Sequence, residues 1–228
     1  MFCLSIDCSN KSLAICYFNI NYNWKNDILI VLNKYKYNIN CQLDKLKYIF
    51  IILTEINKIL DNIISFNFCK VTDLIPNKKV KDTSILERTL QLKYHIQDIK
   101  KIINKSDKNK LIHIYIEYQC NVNDKSRTVY NQLIYAFSDN AYYNIIIVKP
   151  TLKNQIYFSD KLKISNIRQL YNNNYISNKN HCKQNFLYFM NIFNKQHYIK
   201  NIKKSNLDDI GDAFLQCIAY NKFYNKIF

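Results

Sequence analysis

Leu111-Ile-His-Ile-Tyr-Ile-Glu-Tyr118 is the most strand-like stretch of the chain, dense in β-branched and aromatic residues. An amphipathic segment follows, Ser126–Phe137, with Val129, Tyr130, Leu133, Ile134 and Phe137 at helical spacing. A second apolar strand, Tyr143–Val148, is then closed by Lys149-Pro150. Strand, helix and strand in that order make this an α/β chain. His113 reads as a packed core histidine. Glu117 stands at the end of the apolar run, where a carboxylate is costly unless it pairs or binds a cation.

Upstream, Phe2–Asp7 reads as a first strand ending on an acid, and Ser9-Asn10-Lys11-Ser12 as a tight turn. Leu13–Ile20 and Asp27–Leu32 are expected as second and third strands of an antiparallel meander. Gln42–Ile64 and Ser84–Asn104 both carry apolar residues at helical period, separated by Pro76 and the basic loop Asn77–Lys81. The second of these helices has no evident partner in a minimal fold. Residues 67–109 are therefore expected to form a helical insertion before the fourth strand, either a clamp on nucleic acid or a hairpin packed on the core.

Downstream, Leu152–Tyr171 is lysine-rich and weakly helical, and Asn172–Asn180 reads as an Asn-rich loop. Cys182–Phe193 is expected as a short helix burying Phe186, Phe189, Met190 and Phe193, with Lys179 and Lys183 near its start.

At 228 residues a single domain is expected. No run approaches the ~18 apolar residues of a membrane span, and no leader segment is recognised before Phe2. Eight cysteines form no CxxC and no zinc spacing, which favours a reducing, intracellular setting. Thirty-three Lys and Arg stand against 17 Asp and Glu, a charge of +16 that points to a polyanion such as nucleic acid. Only three of these basic residues are arginines, so contact with phosphates is expected rather than broad reading of base edges. A single glycine, Gly211, excludes P-loop and dinucleotide-binding fingerprints.

In so basic a chain, Leu207-Asp208-Asp209-Ile210-Gly211-Asp212-Ala213-Phe214 concentrates three acids within five residues. On a helix Asp209 and Asp212 share a face, while Leu207, Ile210 and Phe214 lie on another. Two readings stand side by side. Ser205 and Asp208 fit a capping box, with acids favoured by the helix dipole. The paired carboxylates also suit a divalent cation such as Mg²⁺. Gly211 between them is expected to let the helix approach a strand closely.

Four landmarks together carry a family resemblance. Ser5-Ile6-Asp7-Cys8-Ser9-Asn10-Lys11-Ser12-Leu13-Ala14, Ile116-Glu117-Tyr118-Gln119, Leu207–Ala213 and Lys183 before Phe186 resemble, in order, the motifs of RuvC-like Holliday junction resolvases, in the branch of poxviruses, other large DNA viruses and fungal mitochondria. Ser9 replaces that branch's usual glycine. The resemblance implies an RNase H-like fold with a five-stranded mixed sheet flanked by helices. It also implies an endonuclease that nicks four-way DNA junctions symmetrically as a homodimer, with no membrane partner and the host cytoplasm as its setting if poxviral. Asp7, Glu117, Asp209 and Asp212 are the implied metal ligands, for Mg²⁺ or Mn²⁺, two ions per site. Lys183 is the implied catalytic lysine, and Asp208 a cap or support. The Ser126–Phe137 helix is a candidate dimer interface. Two rivals remain: a ribonuclease H-type nuclease on RNA–DNA hybrids, and a non-catalytic basic nucleic-acid-binding protein.

Overall fold

The computed structural model describes residues 1–9, 12–36, 45–107, 109–119, 124–171 and 173–227. Positions 10 and 11 of the expected turn and 42–44 of the expected helix start lie outside them. Five strands, β1 (Phe2–Cys8), β2 (Ser12–Ile20), β3 (Ile64–Asp73), β4 (Ile112–Glu117) and β5 (Tyr143–Val148), form one sheet in the order β3-β2-β1-β4-β5. β1–β2 and β2–β3 are antiparallel; β1–β4 and β4–β5 are parallel. This is the mixed sheet of an RNase H-like fold, as expected.

Among the described residues seven α-helices accompany it: α1 (Trp24–Tyr35), α2 (Lys45–Asp61), α3 (Ile85–Asp107), α4 (Asp124–Ser138), α5 (Ile164–Leu170), α6 (Asn174–Ile192) and α7 (Leu207–Phe223). β1 and β4 are covered on both faces, which is why they read as nearly unbroken apolar runs. On one face Leu4, Ile6, Ile15, Ile114 and Ile116 pack with Leu92, Ile96, Ile99 and Ile103 of α3 and with Val129, Leu133 and Phe137 of α4. On the other, Cys3, Cys16, Phe18 and Tyr115 pack with α6 and α7. Phe214 of α7 is the hub there, its ring 4.9–5.7 Å from those of Phe18, Phe66, Phe186 and Phe189. α7 is buried along most of its length, and three polar residues, Asp212, Gln216 and Asn221, are buried with its apolar ones.

Several expectations are corrected. Asp27–Leu32 lies within α1, and the third strand is Ile64–Asp73. The five-residue apolar run Ile28–Leu32 suits either structure by pattern alone. Helix wins because Tyr35 stacks toward Tyr48 of α2 at 6.2 Å and its hydroxyl donates to Glu55 at 2.8 Å, making a helical hairpin. That hairpin is an excursion between β2 and β3, which stay neighbours in the sheet. The segment 67–109 is not an appendage: it completes β3 and contains α3, whose apolar side is sealed into the core. The Ser126–Phe137 stripe is likewise core. Of the expected Asn172–Asn180 loop, position 172 lies outside the described residues and the rest is mostly helix: α6 starts at Asn174, capped by Asn173, whose side chain accepts from the Tyr175 and Ile176 amides at 2.8 and 3.3 Å. Among the described residues no helix is long and apolar enough to cross a membrane.

Candidate active site

The parallel pairing of Ile6 with Ile116 carries β1 and β4 to their carboxyl ends side by side. The next residue on each strand is an acid, Asp7 and Glu117. Both strands alternate in phase, so both side chains leave the sheet on the α7 face, beyond Ser5 and Tyr115. The carboxyl ends of parallel strands are where open α/β sheets bind ligands.

α7 brings the other acids to the same end, and buried polar contacts hold it in register. Gln216 Nε2 donates to Ser5 Oγ and the Ile6 carbonyl, both at 2.9 Å, and reaches the Tyr115 carbonyl at 3.4 Å. One turn on, Asn221 Nδ2 donates to the Tyr115 hydroxyl at 3.0 Å. One helix is thereby tied to the two strands that carry Asp7 and Glu117. Asp212 is 6% exposed, and Asp209 accepts from the Ser12 hydroxyl at 3.1 Å.

Two lysines close the cluster. Lys153 belongs to a single turn of 3₁₀ helix, Leu152–Gln155, just after β5. Its Nζ donates to Glu117 Oε2 at 2.5 Å and lies 3.3 Å from Asp212 Oδ2. Lys179, in the second turn of α6, sits 2.7 Å from Asp209, 3.2 Å from Asp212 and 3.6 Å from Asp208. Gly211 makes that placement possible. A Cβ there would stand 2.6 Å from the Cys182 carbonyl oxygen, so α7 crosses α6 in near backbone contact. The close approach is to a helix, not to a strand.

The electrostatics follow from burial and charge. Desolvation pushes the Asp7 carboxyl well above its usual range, and neighbouring Glu117 adds to the rise. Asp7 forms no ion pair within 4 Å among the described residues. For Asp212 burial acts the same way, but the ammonium groups of Lys153 and Lys179 outweigh it and hold that carboxyl below its usual value. Burial works against charge on both lysines, yet the carboxylates around them, Asp212 foremost, raise both above the ordinary lysine value. Among the described residues no group of three His, Cys, Asp or Glu side chains is arranged to hold an ion as it stands. The ammonium groups of Lys153 and Lys179 lie between the carboxylates. A cleft of about 360 Å³ opens over the cluster, lined among others by Asp7, Glu117, Lys153, Lys179 and Asp212.

The structure therefore gathers all four expected acids, Asp7, Glu117, Asp209 and Asp212. It does not bring Lys183 to them: that ammonium donates to the Lys204 carbonyl at 3.2 Å on the outer side of α6. The lysine one turn earlier, Lys179, has the place. The Ser205–Asp208 capping box does not form. Asn206 is the cap position but its side chain caps no helix amide; it accepts instead from the Ser205 hydroxyl at 3.1 Å. Asp208 faces Lys179 instead. Lys153 was not singled out in the sequence, where it is one of many lysines after Pro150; its only signal is its place shortly after the apolar strand β5.

No protein-family profile and no curated protein sequence matches this chain. Among solved structures, Thermus thermophilus RuvC bound to a Holliday junction substrate is similar with a TM-score of 0.49 and 10% identity, over 98% of this chain and 97% of that one. Thermus thermophilus RuvC alone gives 0.46 and 10% over 97% and 96%. Fowlpox virus resolvase with its substrate Holliday junction DNA gives 0.45 and 16%, over 96% of each chain.

Proposed function

We propose that this protein is a structure-selective DNA endonuclease that resolves four-way junctions by paired, symmetric nicks. The observation that carries the proposal is the convergence of Asp7, Glu117 and Asp212 on one cleft, with Asp209 joined to Asp212 through Lys179, from positions two hundred apart in a chain charged +16. A protein that held DNA by charge alone would gain nothing from buried carboxylates in its groove.

The donor set is all carboxylate oxygen, which fits Mg²⁺ or Mn²⁺. Asp7 is buried, and burial and Glu117 oppose its charge more than the nearby Lys153 and Lys179 offset it, so a cation would relieve it. Asp7, Glu117, Asp209 and Asp212 would hold the ions, two per site. Bound there, they would supply activation of water and neutralisation of the leaving oxygen.

The chain's own residues do the rest. Lys153 fixes Glu117 and Asp212 in position from beneath the cleft. Lys179, nearer its mouth, balances the α7 acids and places a positive charge where a DNA phosphate would arrive. Ser12 orients Asp209, and Gln216 fixes the depth of α7 against both acid-bearing strands. Resolution needs two nicks related by a two-fold axis, so the active species is a homodimer.

The test is a labelled four-way junction incubated with the protein, with and without Mg²⁺, beside an RNA–DNA hybrid. Paired symmetric nicks on the junction alone are the expected result. Cleavage of the hybrid alone would assign a ribonuclease H-type enzyme, and binding without cleavage would remove the nuclease reading.

A further inference from the structure

β2 ends at Ile20 and β3 begins at Ile64, so the α1–α2 hairpin springs from the end of the sheet opposite Asp7, and none of its described residues lines the acid cleft. The two helices make their main contact with each other. α2 turns Tyr48, Ile52 and Glu55 toward α1: Ile52 is buried, and Tyr48 and Glu55 meet Tyr35. Another side of α2 carries Leu46, Ile49, Leu53, Ile56 and Leu60, alternately three and four residues apart. That spacing is the seam of a coiled coil. Yet Leu46 is 84% exposed, Leu53 54% and Phe50, beside them, 72%.

Building on the homodimer that the resolvase reading requires, we infer that this stripe is where two copies of the chain join. The two α2 helices run antiparallel, with Ile49 of each copy against Leu53 of the other. A two-fold contact must be self-complementary. In this register every layer sets an isoleucine against a leucine, Ile49 on Leu53 and Leu46 on Ile56. The size also fits. Leu46, Ile49, Phe50 and Leu53, with Leu29 and Leu32 of α1, leave roughly 700 Å² of apolar surface in water, close to the ~800 Å² that each partner gives a stable interface and more than a monomer ordinarily leaves. Charge does not oppose the contact. Lys47 and Lys58 fall on the far side of α2 from the stripe, and Phe50 and Asn57, which flank it, are uncharged. The stripe itself offers no donor to a DNA phosphate. The helix expected at the interface, α4, has its apolar stripe sealed in the core, whereas that of α2 is open.

The experiment is sedimentation velocity of the full chain at micromolar concentration, without DNA or metal. Wild type is expected at twice the chain mass. Ile49→Glu and Leu53→Lys each put an unpaired charge into the seam, so each is expected to run as a single chain, its self-association weakened by at least ~100-fold. An equimolar mixture of the two restores the dimer, because one layer then sets Glu against Lys. That recovery separates a lost interface from a misfolded chain. Tyr135→Glu, on the exposed side of α4, leaves the dimer intact. Wild type running as a single chain, a dimer lost in Tyr135→Glu rather than in the α2 variants, or a mixture that stays monomeric would overturn the inference. A wild-type single chain that floats with phosphatidylserine vesicles would assign the stripe to a membrane surface instead. None of these outcomes depends on cleavage: a dimer without Mg²⁺-dependent nicking of the junction would overturn the nuclease reading alone.

Discussion

The Cys182 carbonyl oxygen lies 2.6 Å from where a Cβ on Gly211 would stand, and this single contact sets how α6 presents its lysine to the acids of α7. Both the obstructing atoms, the carbonyl carbon and oxygen of Cys182, are backbone. No rotamer change can relieve the clash, so α6 must move outward and take Lys179 with it. Gly211→Ala gains roughly 1 kcal/mol of helix propensity but meets an overpacking cost of about 1–3 kcal/mol. Net destabilisation in urea unfolding is expected, together with a loss of junction nicking larger than the stability change explains. An alanine variant as stable and active as wild type would show that α6 and α7 do not cross so closely.

Lys153 and Lys179 touch the same carboxylate but differ in exposure, and removing them should differ in cost. Lys153 and both its partners are nearly buried, with side chains 8–13% exposed. Truncating one member of a buried pair typically costs about 3–5 kcal/mol, because the remaining charges lose their compensation. Lys153→Met is expected in that range by chemical denaturation. Lys179, about one-fifth exposed with water at its side, should cost distinctly less. Adding Asp212→Asn to Lys153→Met should recover part of the loss, and a strictly additive double mutant would argue against direct coupling.

Much of this arrangement was legible in the sequence, and the limits have physical causes. Asp7, Glu117 and the Asp208–Asp212 cluster stand out because acids are scarce in a chain with twice as many basic residues, and because two of them end apolar strands. The central strands were equally plain, since burial on both faces leaves no competing pattern. The third strand was misplaced because Ile28–Leu32 is a short apolar run in which periodicity cannot separate strand from helix, while the alternating Ile64–Phe68 sits at the end of a long helical pattern that claimed Ile64. The start of α6 was hidden by asparagines, which favour loops as readily as the cap Asn173 provides. The two working lysines were hidden among 30, since their role depends on a 3₁₀ turn after β5 and on the crossing at Gly211.

Lys183 and Lys179 are one helical turn apart, yet only one reaches the acids, so their substitution should separate cleanly. Lys179→Ala is expected to lower the single-turnover nicking rate by at least 10²-fold, as removal of a preorganised positive group at developing charge does. Lys183→Ala leaves the cleft untouched, so its rate on saturated junction should stay within a few-fold of wild type. The reverse ranking would mean that α6 is rotated relative to this structure.

Asp7 supplies the last prediction because its environment makes stability and activity move in opposite directions. Burial and Glu117 disfavour its charge more than Lys153 and Lys179 favour it, and neither ammonium lies within 4 Å of it. Asp7→Asn removes that unfavourable charge at nearly constant volume, so the metal-free variant should be at least as stable as wild type in EDTA. Nicking should fall below detection, with junction binding in EDTA retained. Mg²⁺ at millimolar concentration should raise the wild-type Tm, since a ligand of the native state stabilises it by mass action, and that increase should shrink in Asp7→Asn and in Glu117→Gln. Equal Mg²⁺ shifts in wild type and both variants would place the cation elsewhere, whatever the nicking assay returned.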